Sequence, residues 1–363
     1  MTRPRIGIVG AGQLGRMLAL AGYPLGLRFT FLDPNPDACA AQVGDCIQGA
    51  YDDPAKLREL ADTVDIVTFE FENVPVATLE TVAALKPFFP PVAALATGQD
   101  RLTEKTLFSE LGIPTPKFRA VDSQADLEQA VSEIGLPGIL KTRRLGYDGR
   151  GQYRLQQTAD IGPAWDALGG TPLIYEGFVP FMREVSVIGA RGRDGKVAIY
   201  PLSENTHRNG ILHMARAPYR HPALQKQAEA HLKKLFKHLN YVGVLTVEFF
   251  VLNGKLIANE MAPRVHNSGH ASIEGSHTSQ FENHLRAICG LPLGSTAPRG
   301  FSGMVNFVGT IPTAAATLKL ENVHFHHYGK APRPARKLGH ATVIAATAVE
   351  RDRALKKLLR IAK

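Results

Sequence analysis

Cysteine, long apolar runs and concentrated charge are all scarce in this chain. Its three cysteines among 363 residues, Cys39, Cys46 and Cys289, form no CxxC and no even framework. Core thiols are therefore expected, not disulfides or a zinc site. No apolar run approaches the roughly 18 residues of a bilayer span, and Met1-Thr2-Arg3-Pro4 leads into a strand-like run instead of a signal peptide. A cytoplasmic protein with no membrane partner is the expectation. No GK[ST] opens a helix, which excludes a Walker loop, and there is no internal repeat or low-complexity segment. The net charge of +9 favours anionic partners, yet the basic residues are dispersed and carry no aromatic-basic recognition module, so nucleic acid is not expected. Their densest run, 351–363, reads as a terminal amphipathic helix with a solvated face. What is present is ordinary for a soluble globular protein: 44% hydrophobic and 21% charged residues, with 34 Gly and 24 Pro to supply turns. The length suits two or three domains.

Arg5-Ile6-Gly7-Ile8-Val9 reads as a buried strand running into Gly10-Ala11-Gly12-Gln13-Leu14-Gly15, with helical spacing afterwards. This is G-x-G-x-x-G in a strand-to-helix context, and the next strand ends in Asp33, near the distance of a ribose-binding acid. The glycines specify a geometry, free N–H groups at a helix N-terminus, that any phosphate or carboxylate ligand could use. A further strand, 65–68, is followed by Glu70, Glu72 and Asn73, acids that would repel a pyrophosphate but suit an amine or hydroxyls; the alternative is that they cap or hydrate a loop. Phe88 and Phe89 suggest the closing strand of a doubly wound domain that ends near Gly98.

The spacing predicts a helix over 100–111 that projects Arg101 and Lys105 at i and i+4, able to reach one anion. The strand 138–141 ends in Lys141 and leads into a segment with Gly146, Gly149 and Gly151 among cations. Such a loop can fold its amides over phosphates, with Lys141 beneath it. Glu176-Gly177-Phe178-Val179 leaves the next strand and can read an adenine edge; Glu184 stands where a ribose needs an acceptor. Asn205, His207 and Arg208 read as a polar loop. His324 and His326 alternate onto one face without an evident acidic or cysteine partner, so strand-edge histidines are expected there. Lys330, Arg333, Arg336 and Lys337 form a compact basic loop suited to phosphate.

In 246–270 two β-rich runs flank Asn253-Gly254, a hairpin signal, and each carries one carboxylate, Glu248 and Glu260. A two-residue loop would set Glu248 opposite Asn259 and send Glu260 to the other face. A three-residue loop, 252–254, would make the glutamates diagonal neighbours roughly 7–8 Å apart, and this is the expected arrangement. Like charges that close call for a counter-ion, and oxygen ligands suit Mg²⁺ bridging to phosphate. Arg264, His266 and Asn267 follow directly.

GIVGAGQLGRMLALAG, TFEFENVP, ILKTRRLGYDGRGQ, EGFVPFMREVSVI, YPLSENTHRNGIL, NEMAPRVHNSGH and RKLGH, in this order, resemble the 5-(carboxyamino)imidazole ribonucleotide synthases, ATP-grasp ligases of purine biosynthesis. The resemblance covers nearly the full length. It implies an α/β (α+β) ATP-grasp protein: a Rossmann-like preATP-grasp domain over 1–98, an ATP-grasp core over 99–295 with a mobile lid about 117–181, and a small C-terminal domain over 296–363. It implies ATP contacts from Arg101, Lys141, Gly146, Tyr147, Asp148, Gly149, Arg150, Gly151, Gln152, Glu176, Gly177, Phe178, Val179, Glu184, His207, Asn259 and Glu260, beside the Lys105 suggested by helical spacing. Glu248 and Glu260 would hold magnesium, with two ions expected. Gln13, Glu72, Tyr147, Arg150, Lys330 and Arg336 would bind 5-aminoimidazole ribonucleotide. Arg264, His266 and Asn267 would hold bicarbonate, or the carboxyphosphate formed when it attacks ATP, and orient it or shuttle a proton. A homodimer is also implied. Two residues depart from the pattern: Ala262, where many ATP-grasp enzymes place asparagine, and Ala335, where glycine is expected. The rival readings are an NAD-dependent dehydrogenase resting on the fingerprint and Asp33, an ATP-grasp ligase for another carboxylate, and a nucleic-acid-binding protein.

Overall fold

The computed structural model describes residues 4–146 and 149–362, so the expectations placed on Tyr147 and Asp148 lie outside the described residues. Among the described residues the strands form three sheets. The first is parallel, in the spatial order Asp45–Gln48, Arg28–Asp33, Arg5–Val9, Ile66–Phe69. Its central strands, Arg28–Asp33 and Arg5–Val9, are buried on both faces beyond their first residues, which is why they read as largely apolar runs. The edge strand Asp45–Gln48 is only half buried and has no such run, so the sequence hides it. The closing strand expected at Phe88 and Phe89 reduces to a single bridge, Val67 to Phe88. Pro87 and Pro90 on either side withhold the N–H groups that a longer ladder needs.

The second sheet has nine strands and carries the site. Its order is Lys255–Ala262, Gly243–Leu252, Arg183–Arg191, Ser203–Arg208, Ile211–Ala217, Phe301–Val308, Lys337–Ala345, Val323–His327, with Val197–Ile199 paired to Arg183–Arg191. The C-terminal strands thus continue the sheet of the middle third, joined where Met214 pairs with Val305. The third sheet, of four antiparallel strands, is Phe118–Val121, Leu173–Gly177, Gly138–Thr142, Gln152–Leu155.

Helices begin where the sequence places oxygen caps. Asp100 accepts from Leu102 N–H at 3.0 Å to start Arg101–Glu110, Ser279 caps Gln280–Ile288, and Thr347 with Glu350 forms a reciprocal box at Ala348–Ile361. Each such cap contributes about 1 kcal/mol. Helix Gln280–Ile288 wedges between the first two sheets. Leu18, Phe29, Ile188, Val244, Phe281 and Leu285 form one core around it, and each large apolar side chain there stabilises the fold by roughly 1.5–3 kcal/mol. Near the carboxyl end of Ile66–Phe69, Thr68 Oγ1 lies 3.0 Å from His284 Nε2 on that helix, which ties the strand to the element packed on the second sheet.

The histidine expectation needs one correction. His326 lies on the edge strand Val323–His327 as expected, but its Nε2 is 2.6 Å from Glu274 Oε1, an acid brought in from 52 residues away.

Candidate active site

The hairpin is built differently from the expected three-residue loop. Leu252 pairs with Lys255, leaving Asn253 and Gly254 as a two-residue turn with φ of 50° and 72°. Both angles are positive, as a type I′ turn demands. Parity would then place Glu248 opposite Asn259. The register shifts between Glu248 and Phe249, however, so that Ala258 pairs with Phe249 and Glu260 pairs with Glu248. Asn259 is the extra residue of a β-bulge, which restores by another route the convergence that the odd loop was meant to supply.

The two carboxylates then titrate apart. Burial and the neighbouring Glu260 push Glu248 up to about 7. Burial opposes ionisation at Glu260 too, but Arg101, whose Nη1 lies 3.0 Å from Glu260 Oε2, holds it low, with help from Lys141 and Lys105. Arg101 also donates from Nη2 to the Gly146 carbonyl at 3.3 Å, so one guanidinium joins the acidic hairpin to the glycine-rich segment. Asp100 anchors the base of that segment: Arg143 grips both its carboxylate oxygens, at 3.0 and 2.8 Å, and Arg144 approaches at 3.3 Å. Gly149 and Gly151 have φ of 79° and 68°, and a Cβ on Gly151 would sit 2.5 Å from Thr142 Oγ1. A glycine is required there on both counts.

Lys141 donates to Glu176 Oε2 at 2.9 Å, and Lys105 Nζ is 3.5 Å from the same oxygen. Burial would raise Glu176, but the two ammonium groups outweigh it and hold the carboxyl down at about 2. Its other oxygen, Oε1, is buried without a partner. Lys105 is fully buried beneath the hairpin, where it donates to the Ala258 and Asn259 carbonyls at 3.2 and 2.7 Å. It braces the bulge from below.

Glu184 lies on Arg183–Arg191 and meets His207 Nδ1 at 2.7 Å. His207 stands on the strand Ser203–Arg208, not in the expected loop; the turn comes later, at Asn209 and Gly210, both with positive φ. Polar residues at every position masked the strand. Asn205 beside it is 6% exposed, with both amide atoms unpartnered.

On the other flank, Arg264 Nε is 3.0 Å from Glu72 Oε1, so the residue expected at bicarbonate and one expected at the ribonucleotide meet. His266 Nε2 is 3.5 Å from Glu248 Oε1, and burial and Arg264 hold its ring well below the ordinary imidazole range. Asn267 exchanges hydrogen bonds with Asn306, at 3.1 and 2.7 Å, and its Nδ2 lies 2.9 Å from His270 Nδ1. Its amide is thereby engaged with the C-terminal strands. Gln13 and Lys330 are joined to each other through Gln13 Oε1 and Lys330 Nζ. Arg336 donates to the Ala331 carbonyl at 3.0 Å, and Ala335 before it has φ of 59°, the left-handed conformation that explains why glycine was expected.

The amino-terminal fingerprint is filled by the chain itself. Glu70 accepts from the N–H groups of Gly12, Leu14 and Gly15 at 2.8, 3.1 and 3.2 Å. Asp33 accepts from Ala11 N–H and Tyr51 Oη, both at 2.8 Å, so it is not poised for a ribose. Sequence reasoning missed Glu104, which accepts from Met261 N–H at 2.6 Å. Its signal was an acid one turn beyond Arg101 on the same helical face. Ser186, Ser268 and Asn306 were missed as well, and nothing local distinguishes them.

A curated relative named N5-carboxyaminoimidazole ribonucleotide synthase, from Pseudomonas aeruginosa, is 55% identical over 94% of this chain and 95% of its own length. The chain belongs to the N5-carboxyaminoimidazole ribonucleotide synthase family. Family models match in the expected order: a ribonucleotide synthetase preATP-grasp domain at residues 3–99, an ATP-grasp domain at 106–281, and a phosphoribosylaminoimidazole carboxylase C-terminal domain at 302–354. Among solved structures, the N5-carboxyaminoimidazole ribonucleotide synthetase of Thermus thermophilus superposes with a TM-score of 0.95 at 54% identity, covering 98% of each chain. The N5-carboxyaminoimidazole synthase of Aspergillus clavatus, in complex with ADP and 5-aminoimidazole ribonucleotide, superposes with a TM-score of 0.93 at 33% identity over 99% and 98% of the two chains. The expected mixed α/β ATP-grasp architecture therefore holds, and the chain is an ATP-grasp ligase.

Proposed function

We propose that this enzyme joins bicarbonate to the exocyclic amine of 5-aminoimidazole ribonucleotide at the expense of ATP, giving N5-carboxyaminoimidazole ribonucleotide, ADP and phosphate in purine biosynthesis. The observation that carries this reading is the register shift at Asn259, which sets Glu248 against Glu260 between the cations on one side and Arg264 and His266 on the other. Bicarbonate is a poor electrophile, and phosphorylation to carboxyphosphate supplies a leaving group.

Glu248 and Glu260 would fit Mg²⁺, with two ions expected: the donors are oxygens, and the two carboxylates are paired across the hairpin, where like charges are relieved by a divalent cation. When bound, magnesium neutralises charge building on the transferred phosphoryl group. Lys141 assists from beneath, while Arg101, Asn259 and the Gly146 to Gln152 segment with Arg150 cover the triphosphate. The unpartnered Glu176 oxygen, with Gly177, Phe178 and Val179, accepts the adenine, and Glu184 with His207 takes the ribose. Lys105 acts through the bulge that it braces. Arg264 binds the bicarbonate and carboxyphosphate oxygens, with Asn267 fixing the loop. Gln13, Glu72, Lys330 and Arg336 receive the ribonucleotide, the two cations taking its phosphate. Closure of the lid excludes water from the carboxyphosphate. The partners are small molecules, the assembly is a homodimer, and the location is cytoplasmic; no helix among the described residues is long and apolar enough to cross a membrane.

ADP release with and without bicarbonate and the aminoimidazole ribonucleotide tests the reading. Release is expected only when both are present. Equal turnover with formate, or with another amine, overturns it.

A further inference from the structure

The two nitrogens of His266 have opposite surroundings. Nε2 faces Glu248 across 3.5 Å, while Nδ1 faces inward to Ser268. The backbone N–H of Ser268 donates to Nδ1 at 3.2 Å, and the Ser268 hydroxyl lies 2.8 Å from the same nitrogen. A backbone N–H can only donate, so Nδ1 carries the lone pair and the hydrogen sits on Nε2. The hydroxyl directions then follow. Ser268 Oγ–H points to Nδ1, and Ser268 Oγ accepts from Ser186 Oγ–H at 2.7 Å. Both serines are 1% exposed, and Ser186 stands directly across from Glu248 in the neighbouring strand. The strand beside the carboxylate thus fixes the far end of the hydroxyl chain.

We propose that Ser186 and Ser268 are positioning residues that hold His266 as a fixed hydrogen-bond donor through Nε2, on the Glu248 side of the site, available to the oxygens of the activated carboxylate, and that His266 is not the base that removes the amine proton. The inference deepens the carboxylation reading and rests on it. A donor prepared in advance stabilises negative charge as it develops, and needs no proton transfer to do so.

Two measurements on the full chain test it. Long-range ¹H–¹⁵N correlation on ligand-free, ¹⁵N-histidine-labelled protein is expected to show His266 with hydrogen on Nε2 and a bare Nδ1, and Ser268→Ala to mix the tautomers. Hydrogen on Nδ1 in the unaltered protein overturns the proposal. In turnover, His266→Gln keeps an N–H near Nε2 and is expected to retain kcat within about ten-fold, whereas His266→Asn places it near Nδ1 and loses about a hundred-fold or more. Equal losses would overturn the donor role. Ser186→Ala is expected to lower kcat about ten-fold with KM for ATP unchanged, and Ser186→Thr to restore it; a loss that Thr does not restore counts against positioning. Failure of the carboxylation reading shows itself separately, as ADP release by the unaltered enzyme that ignores bicarbonate.

Discussion

At residues 10–15 three backbone N–H groups converge on the Glu70 carboxylate, whereas at the hairpin two carboxylates converge on each other. The first region has the outline of a dinucleotide site, yet its hydrogen bonds are already made within the chain: Glu70 accepts from the N–H groups of Gly12, Leu14 and Gly15, and Asp33 is held by Ala11 and Tyr51. The second has no nucleotide fingerprint, yet its groups are left incomplete. Glu248 is pushed up to about 7, and Glu176 Oε1 and both amide atoms of Asn205 are buried without partners. Glycines give a turn the shape to receive an anion; whether a ligand is needed depends on what the chain puts there.

Four measurements bear on this contrast. Glu260→Gln should lower ADP formation roughly a thousand-fold while leaving the fold intact, because it removes charge where phosphoryl charge must be balanced; a change below ten-fold would dissolve the distinction between the two regions. Glu70→Ala should do the reverse. It strands three backbone donors, two of them buried, at a cost of roughly 2–4 kcal/mol, read as a lower thermal midpoint that sulfate partly restores, with kcat of the folded enzyme preserved. A pH series sharpens the hairpin side. A carboxyl raised from 4.5 to about 7 binds its proton more tightly when folded, so the stability it contributes at low pH should be lost as pH rises from about 4.5 through 7. The slope cannot exceed about 1.4 kcal/mol per pH unit, and denaturant unfolding of Glu248→Gln should flatten it. The smallest effect is expected of Ala335→Gly, which relieves a left-handed alanine and should stabilise by less than about 1 kcal/mol in the same unfolding assay.

Much of this was legible in the residues because the elements are locally encoded. The helix read over 100–111 starts at its Asp100 cap, and the run at 5–9 became a strand. The hairpin shows both the reach of such reading and where it stops. Asn253-Gly254 specified its own turn, but nothing local announces a bulge at Asn259; that depends on Lys105 below it holding the Asn259 carbonyl. The strand Ser203–Arg208 was hidden by its polarity: even the side chains it buries, Ser203 and Asn205, are polar, so no apolar alternation marks it. His326 found Glu274, and Asn267 found Asn306, across separations of 52 and 39 residues that no local pattern reports.

The pairing of Ile211–Ala217 with Phe301–Val308 has a consequence for anyone wishing to isolate a catalytic half. Cutting the chain before Phe301 would bare a row of ladder donors and acceptors along Ile211–Ala217, an adhesive border that recruits strands from other molecules. The truncated species should precipitate or polymerise instead of behaving as a smaller enzyme.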